Sequence, residues 1–236
     1  MAYESANNRS GVVGSPHFHR GDDPSKLLVQ GWRIADPGFE LPDGEATVEV
    51  PTVLALDAVC QLDGQVTRTD LIRMLRLFST SSFRLETLQR YTEDSETARL
   101  ASYAATGQID PHDPGTARWT AMVAAHLTAG KGMRRVHLVR QPLSDYLRWE
   151  FAFQTHTGED VRVADLGTYP ELADHPGDSW LFDNRVGVRM VYDDDARLVA
   201  CERIGEDGID ACRIWRDRAW AAAAPLADSL DAARAV

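Results

Sequence analysis

The stretch from Arg134 to Asp195 constrains the fold of this chain more than any other. It reads as a strand, a helix and three further strands. RVHLVR (135–140) alternates apolar and polar residues, with Val136, Leu138 and Met133 expected inward. Pro142 stands where a helix tolerates proline, in its first turn. Leu143, Tyr146, Leu147, Trp149, Phe151 and Phe153 then supply bulk, and Gly158 ends the segment. VRVADL gives the next strand, and a strand–helix–strand unit this short implies a parallel crossover. Residues 179–183, 187–192 and 198–204 are short strands separated by turns, which suits antiparallel hairpins. A helix over 208–224, with Ile214, Trp215, Ala219 and Trp220 on one face, runs up to Pro225.

The preceding segment is helical by pattern. Thr67 or Thr69 is placed to cap a helix carrying Leu71, Ile72, Met74, Leu75, Leu77 and Phe78. SSFRLETLQRY is a second short amphipathic segment. Helices are expected over 93–106, stopped by Gly107, and over 116–129. The fold class is therefore α/β with α+β character. A helical N-terminal half packs on a mixed sheet with one strand–helix–strand crossover, followed by antiparallel strands and a C-terminal helix. Residues 1–25, rich in Asn, Ser, Gly, Pro and Asp, read as a disordered tail. Residues 26–65 read as an N-terminal extension, and 66–230 as the main domain.

Composition narrows the function. A net charge of −11 over 236 residues disfavours sequence-independent binding to nucleic acid or to an anionic membrane. A DNA-binding reading would have to use Arg68, Arg73 and Arg76 on the first helix, where Asp63 and Asp70 dilute the patch. The three cysteines show no CxxC spacing and suit a reducing compartment, so a cytoplasmic location is expected. Neither a secretory leader nor a membrane span is expected.

Motifs for chemistry are sparse. The chain shows no Gly-rich phosphate loop, no GxSxG and no His–Glu zinc spacing, so neither cofactor nor metal is called for. Asp193–Asp195 reads as a solvated hairpin turn, and His17 and His19 alone make a weak metal pair. His126 and His137 read as packed histidines. The candidate ligand site joins Arg148 and Arg189, which would grip a small anionic ligand at the sheet's edge, with Asp183 and Tyr146 beside them.

At SSFRLETLQRY, PLSDYLRWEF, GEDVRV, WLFDNRVGVRMVYDDDARLVACE and WRDRAWAAAAPLADSL the chain resembles an actinobacterial family, domain of unknown function 6879, over about residues 77–230. Members of that family are often encoded beside a helix-turn-helix regulator. The resemblance therefore implies a non-enzymatic regulatory or ligand-sensing module with a separately encoded DNA-binding partner. The alternative is an enzyme of specialised metabolism completed by the N-terminal extension, for example through Glu49 or Asp57. A second resemblance is to one half of the phospholipase D-like fold. His175 stands where active members place a histidine, but Gly177 replaces the lysine and Asp183 comes one residue late. That resemblance implies a binding relic of the fold.

Overall fold

The computed structural model describes residues 66–229 continuously, with short stretches between 17 and 55. In those stretches β1 (His17–Arg20) pairs antiparallel with β2 (Leu27–Gln30), and β3 (Trp32–Arg33) with β4 (Val48–Glu49). His17 and His19 thus lie on a strand inside the segment read as a tail. Asp57 falls outside the described residues.

The domain is built on a seven-stranded mixed sheet: β5 (Ser81–Glu86), β6 (Gly132–Val139), β7 (Asp160–Asp165), β8 (Ser179–Phe182), β9 (Val186–Tyr192), β10 (Leu198–Ile204) and β11 (Ala224–Pro225). Its spatial order is β10-β9-β8-β5-β6-β7-β11. Strands β5, β6 and β7 are mutually parallel, and β8, β9 and β10 extend the sheet as antiparallel neighbours. The expected crossover is β6–α4–β7, with α4 at Asp145–Gln154. A second parallel connection joins β5 to β6 through α2 (Thr97–Thr106) and α3 (Pro114–Thr128). The amphipathic segment SSFRLETLQRY supplies the central strand β5; its alternation has the period of a strand, two residues.

Local chemistry sets the helix ends. Thr67 caps α1 (Arg68–Leu77) in a reciprocal capping box with Asp70. Gly107, at φ 69°, closes α2 in the left-handed conformation that favours glycine. Asp113 accepts from the Gly115 and Thr116 N–H groups at the start of α3, with Pro114 in the first turn. Asp113→Ala is expected to cost about 1 kcal/mol in urea unfolding, the usual value of such a cap. Ser144 caps α4, and α5 (Glu206–Ala222) lies on the opposite face of the sheet. Gly187 permits that packing, because a Cβ there would lie 2.9 Å from Ile209 Cδ1.

Both faces of the sheet are covered. Beneath α5, Phe83, Leu85, Val136, Leu138 and Leu181 pack with Ile209 and Ala219. On the other face, α1 and α3 bury Met74, Phe78 and Val123 on Met133, Trp180, Phe182 and Val188. Nearby, α4 buries Leu147, Trp149 and Phe151 on Val161 and Val163. Met133 is therefore buried, but on the face opposite Val136 and Leu138. An odd separation on a strand turns the side chain over.

Candidate functional site

The middle of the α1–α4 face is charged. One cross-strand row runs Val188, Trp180, Arg84, Arg135, Val161, and the next places Glu86 beside His137 and Val163. Arg84, Glu86, Arg135 and His137 are 3%, 6%, 6% and 1% exposed. Charges this deep persist only when paired. Arg84 donates through Nε to Glu86 (3.1 Å) and through Nη2 to Asp178 (2.9 Å) and the Tyr192 hydroxyl (3.1 Å). Arg135 spans Glu86 (2.9 Å) and Glu159 (3.1 Å). Asp178 also accepts from Thr87 N, Thr87 Oγ1 and the Tyr91 hydroxyl. Both guanidinium groups lie over the Trp180 ring, at 5.5 and 5.7 Å from its centroid, and Arg135 also meets Trp119 at 5.8 Å. Within this network Arg84 Nη1 and Arg135 Nε keep no hydrogen-bond partner.

The shared environment drives the acidities apart. Burial raises Glu86, but Arg135 and Arg84 outweigh it and hold its carboxyl well below the usual carboxylate range. For Glu150 on α4, burial and then the charge of Glu86 push the carboxyl well above that range. Burial pulls the His137 imidazole down to about 4, against the attraction of Glu86, so it is neutral near pH 7. Burial also raises the Tyr91, Tyr146 and Tyr192 hydroxyls.

A cavity of about 200 Å³ opens onto this network. Arg84, Glu86 and Arg135 form its floor and Glu150 its side. Tyr91, Tyr146, Tyr192, Trp149 and Phe153 wall it, with Glu93 and Glu96 also on its lining. The Tyr146 hydroxyl donates to Glu96 (2.9 Å). Charged groups held in fixed positions by ion pairs, within an aromatic surround, can orient a small polar molecule.

Of the four residues expected to form a ligand site, Tyr146 alone lines this cavity. Arg148 is exposed on α4, its Nε donating to Leu143 O (3.3 Å). Arg189 is exposed beside Glu202 (3.9 Å). Its neighbours Val188 and Met190 face the α1–α4 side, so strand alternation turns Arg189 toward α5. The two arginines therefore do not share a cleft. Asp183, at φ 51°, accepts from the Ser79, Thr80 and Ser81 N–H groups and the Thr80 hydroxyl, tying β8 to the start of β5. His175 Nδ1 accepts from Gly177 N–H (3.2 Å). The Asp193–Asp195 triplet forms the β9–β10 turn, with Asp193 Oδ1 accepting from Asp195 and Arg197 N–H.

Sequence reading missed Arg84, Glu86, Arg135 and Glu150 as one group. The available signal was the polar alternation of Ser82-Arg84-Glu86 and Arg135-His137 against Phe83, Leu85, Val136 and Leu138 on the other face.

No helix among the described residues is long and apolar enough to cross a membrane. No curated protein and no solved structure matches this chain. The sequence model described as "Domain of unknown function (DUF6879)" matches residues 69–231, which takes in every strand of the seven-stranded sheet and the whole cavity lining. The chain belongs to the DUF6879 family.

Proposed function

We propose that this domain is a non-enzymatic, cytoplasmic ligand-sensing module that works with a separately encoded helix-turn-helix partner. One observation carries the sensing half: a cavity of about 200 Å³ with aromatic walls and a floor of buried, mutually paired Arg84, Glu86 and Arg135. A floor held by ion pairs recognises a ligand with little reorganisation. Arg84 Nη1 and Arg135 Nε, buried beside the cavity without partners, favour a small ligand that presents a carboxylate or carbonyl oxygen once a modest side-chain shift opens them to it. In this reading the arginine pair that grips the ligand is Arg84 and Arg135, in place of Arg148 and Arg189. Tyr91 and Arg84 are committed to Asp178, and Tyr146 to Glu96, which suits binding over turnover. The free thiols of Cys201 and Cys212 fit a reducing compartment. The partner half rests on the family resemblance.

A thermal-shift screen of small polar metabolites tests the sensing half. A true ligand at a hundredfold excess over its Kd adds about 2.7 kcal/mol of stability. The gain should vanish in Glu93→Trp, which sets a large ring against the cavity lining. A screen in which nothing stabilises the chain, or a gain that survives Glu93→Trp, would overturn the reading. For the partner half, the chain is co-expressed with the neighbouring regulator and run on size exclusion. A complex supports it; separate elution with unchanged DNA binding by the regulator would end it.

A further inference from the structure

Glu86 and Glu150, on the cavity lining, and the buried His137 offer one donor atom each, all within 4.8 Å of one another. The three side chains come from β5, β6 and α4 and are 6%, 1% and 8% exposed. Two of the donor groups hold an unsatisfied oxygen. Glu86 Oε1 takes both arginines, leaving Oε2 without a hydrogen-bond partner. Glu150 Oε1 accepts from Gln154 Nε2 (3.2 Å), and its Oε2 is likewise unpartnered. An unmatched carboxylate oxygen at this depth costs on the order of 1–3 kcal/mol, so each calls for a counterpart.

The ring of His137 adds an independent point. Its Nε2 lies 2.9 Å from Gln154 Oε1 and 3.2 Å from Glu86 Oε2. Two acceptor oxygens converge on a nitrogen that carries at most one proton. With that proton moved to Nδ1, which has no partner of its own, and the Gln154 amide turned aside, Nε2 offers a lone pair, and a positive ion seated among it and the Glu86 and Glu150 carboxylates satisfies all three donors together. Charge points the same way. Glu86, Asp178 and Glu159 are three buried carboxylates against the two guanidiniums of Arg84 and Arg135. A divalent ion that displaces the proton held by the buried Glu150 carboxyl brings the group to neutrality.

We infer that Glu86, His137 and Glu150 bind one divalent first-row transition metal ion beside the cavity. An imidazole with two carboxylates suits Zn²⁺, Mn²⁺ or Fe²⁺, whereas Mg²⁺ and Ca²⁺ favour all-oxygen sites. Metal–ligand bonds of about 2.0–2.2 Å place donors roughly 3–4 Å apart, so the three side chains close by about 1 Å or less. Glu86 and Glu150 line the cavity, which gives the ion its entry path. This site goes beyond the proposed organic ligand and shares with it the two glutamates of the cavity lining.

The test uses the full chain, stripped with a chelator and desalted. It is titrated with Zn²⁺ by calorimetry and with Co²⁺ by visible absorption. The expected result is about one equivalent bound, with Co²⁺ d–d bands of nitrogen–oxygen ligation and no thiolate charge-transfer band. Glu150→Gln, an isosteric change, and His137→Gln should each weaken binding at least about tenfold, the lower end of what even outer partners of a metal site contribute. The double variant His17→Ala/His19→Ala should bind as the wild type does. Absence of Zn²⁺ heat and of Co²⁺ bands in the wild type would overturn the inference. So would binding that survives both Glu150→Gln and His137→Gln in folded protein, or binding lost in the His17/His19 variant. The wild-type Co²⁺ spectrum decides the matter even if a variant fails to fold. Because the readout is metal alone, failure here leaves the metabolite screen intact, and failure of that screen leaves this site intact.

Discussion

Arg84→Ala is expected to destabilise the domain by about 3–5 kcal/mol, the cost of removing one partner from a buried ion pair. The side chains of Arg84 and Asp178 are 4% and 1% exposed, so the variant leaves a buried carboxylate without its charge partner. Asp178 would keep Thr87 and Tyr91 as donors but lose its charge partner, and Glu86 would rest on Arg135 and His137. Against a typical total of about 5–15 kcal/mol, a loss of this size removes much of the folding free energy. The internal comparison is Arg68→Ala. Arg68 pairs with Glu93 at 2.8 Å, yet its side chain is 58% exposed. An exposed pair contributes about 1 kcal/mol or less. Urea midpoints for the two variants should therefore differ severalfold in their displacement. Equal, small shifts would mean that the Arg84 network is as solvated as the surface.

The second large effect lies in the apolar part of the same face. Phe182→Ala is expected to cost about 3–5 kcal/mol, the range for deleting a fully buried aromatic side chain. Phe182 has no exposed surface; it stacks on Trp180 at 5.7 Å and on Phe78 at 6.4 Å between ring centroids. It therefore couples β8 to the end of α1. Equilibrium unfolding followed by tryptophan fluorescence measures the loss, and Phe182→Leu should recover a substantial part of it. A cost below about 1 kcal/mol for the alanine variant would contradict the packing described.

The sheet was legible because its strands obey a rule the side chains cannot hide. RVHLVR, VRVADL and the three strands after residue 178 alternate or run apolar between turn residues. The helices announced themselves through caps at Thr67 and stops such as Gly107. The functional face was harder to read, for a physical reason. Alternation of charged and apolar residues normally marks a strand with one wet face. In β5 and β6 the charged face is covered by α3 and α4, and Arg84 and Arg135 are paired there with Glu86, Asp178 and Glu159. Pairing of that kind joins residues 84, 86, 135, 159 and 178 through space, and no local spacing encodes it. Arg148 and Arg189 looked suitable because sequence gives residue type without direction. Alternation about Val188 and Met190 turned Arg189 to the α5 side, and α4 presents Arg148 to solvent. Asp183 was expected beside a ligand; its carboxylate gathers the Ser79, Thr80 and Ser81 N–H groups and ties the end of β8 to the start of β5.

The central claim is that the space above Arg84, Glu86 and Arg135 holds a small ligand. A crystal structure of the full chain purified from its native host, without added compounds, measures this most directly. The account predicts continuous non-protein density in the cavity between Trp149 and Tyr192, in contact with Arg84 or Arg135. A well-ordered structure with those side chains as described and only scattered water in the cavity, grown from protein that no metabolite stabilises, would contradict it.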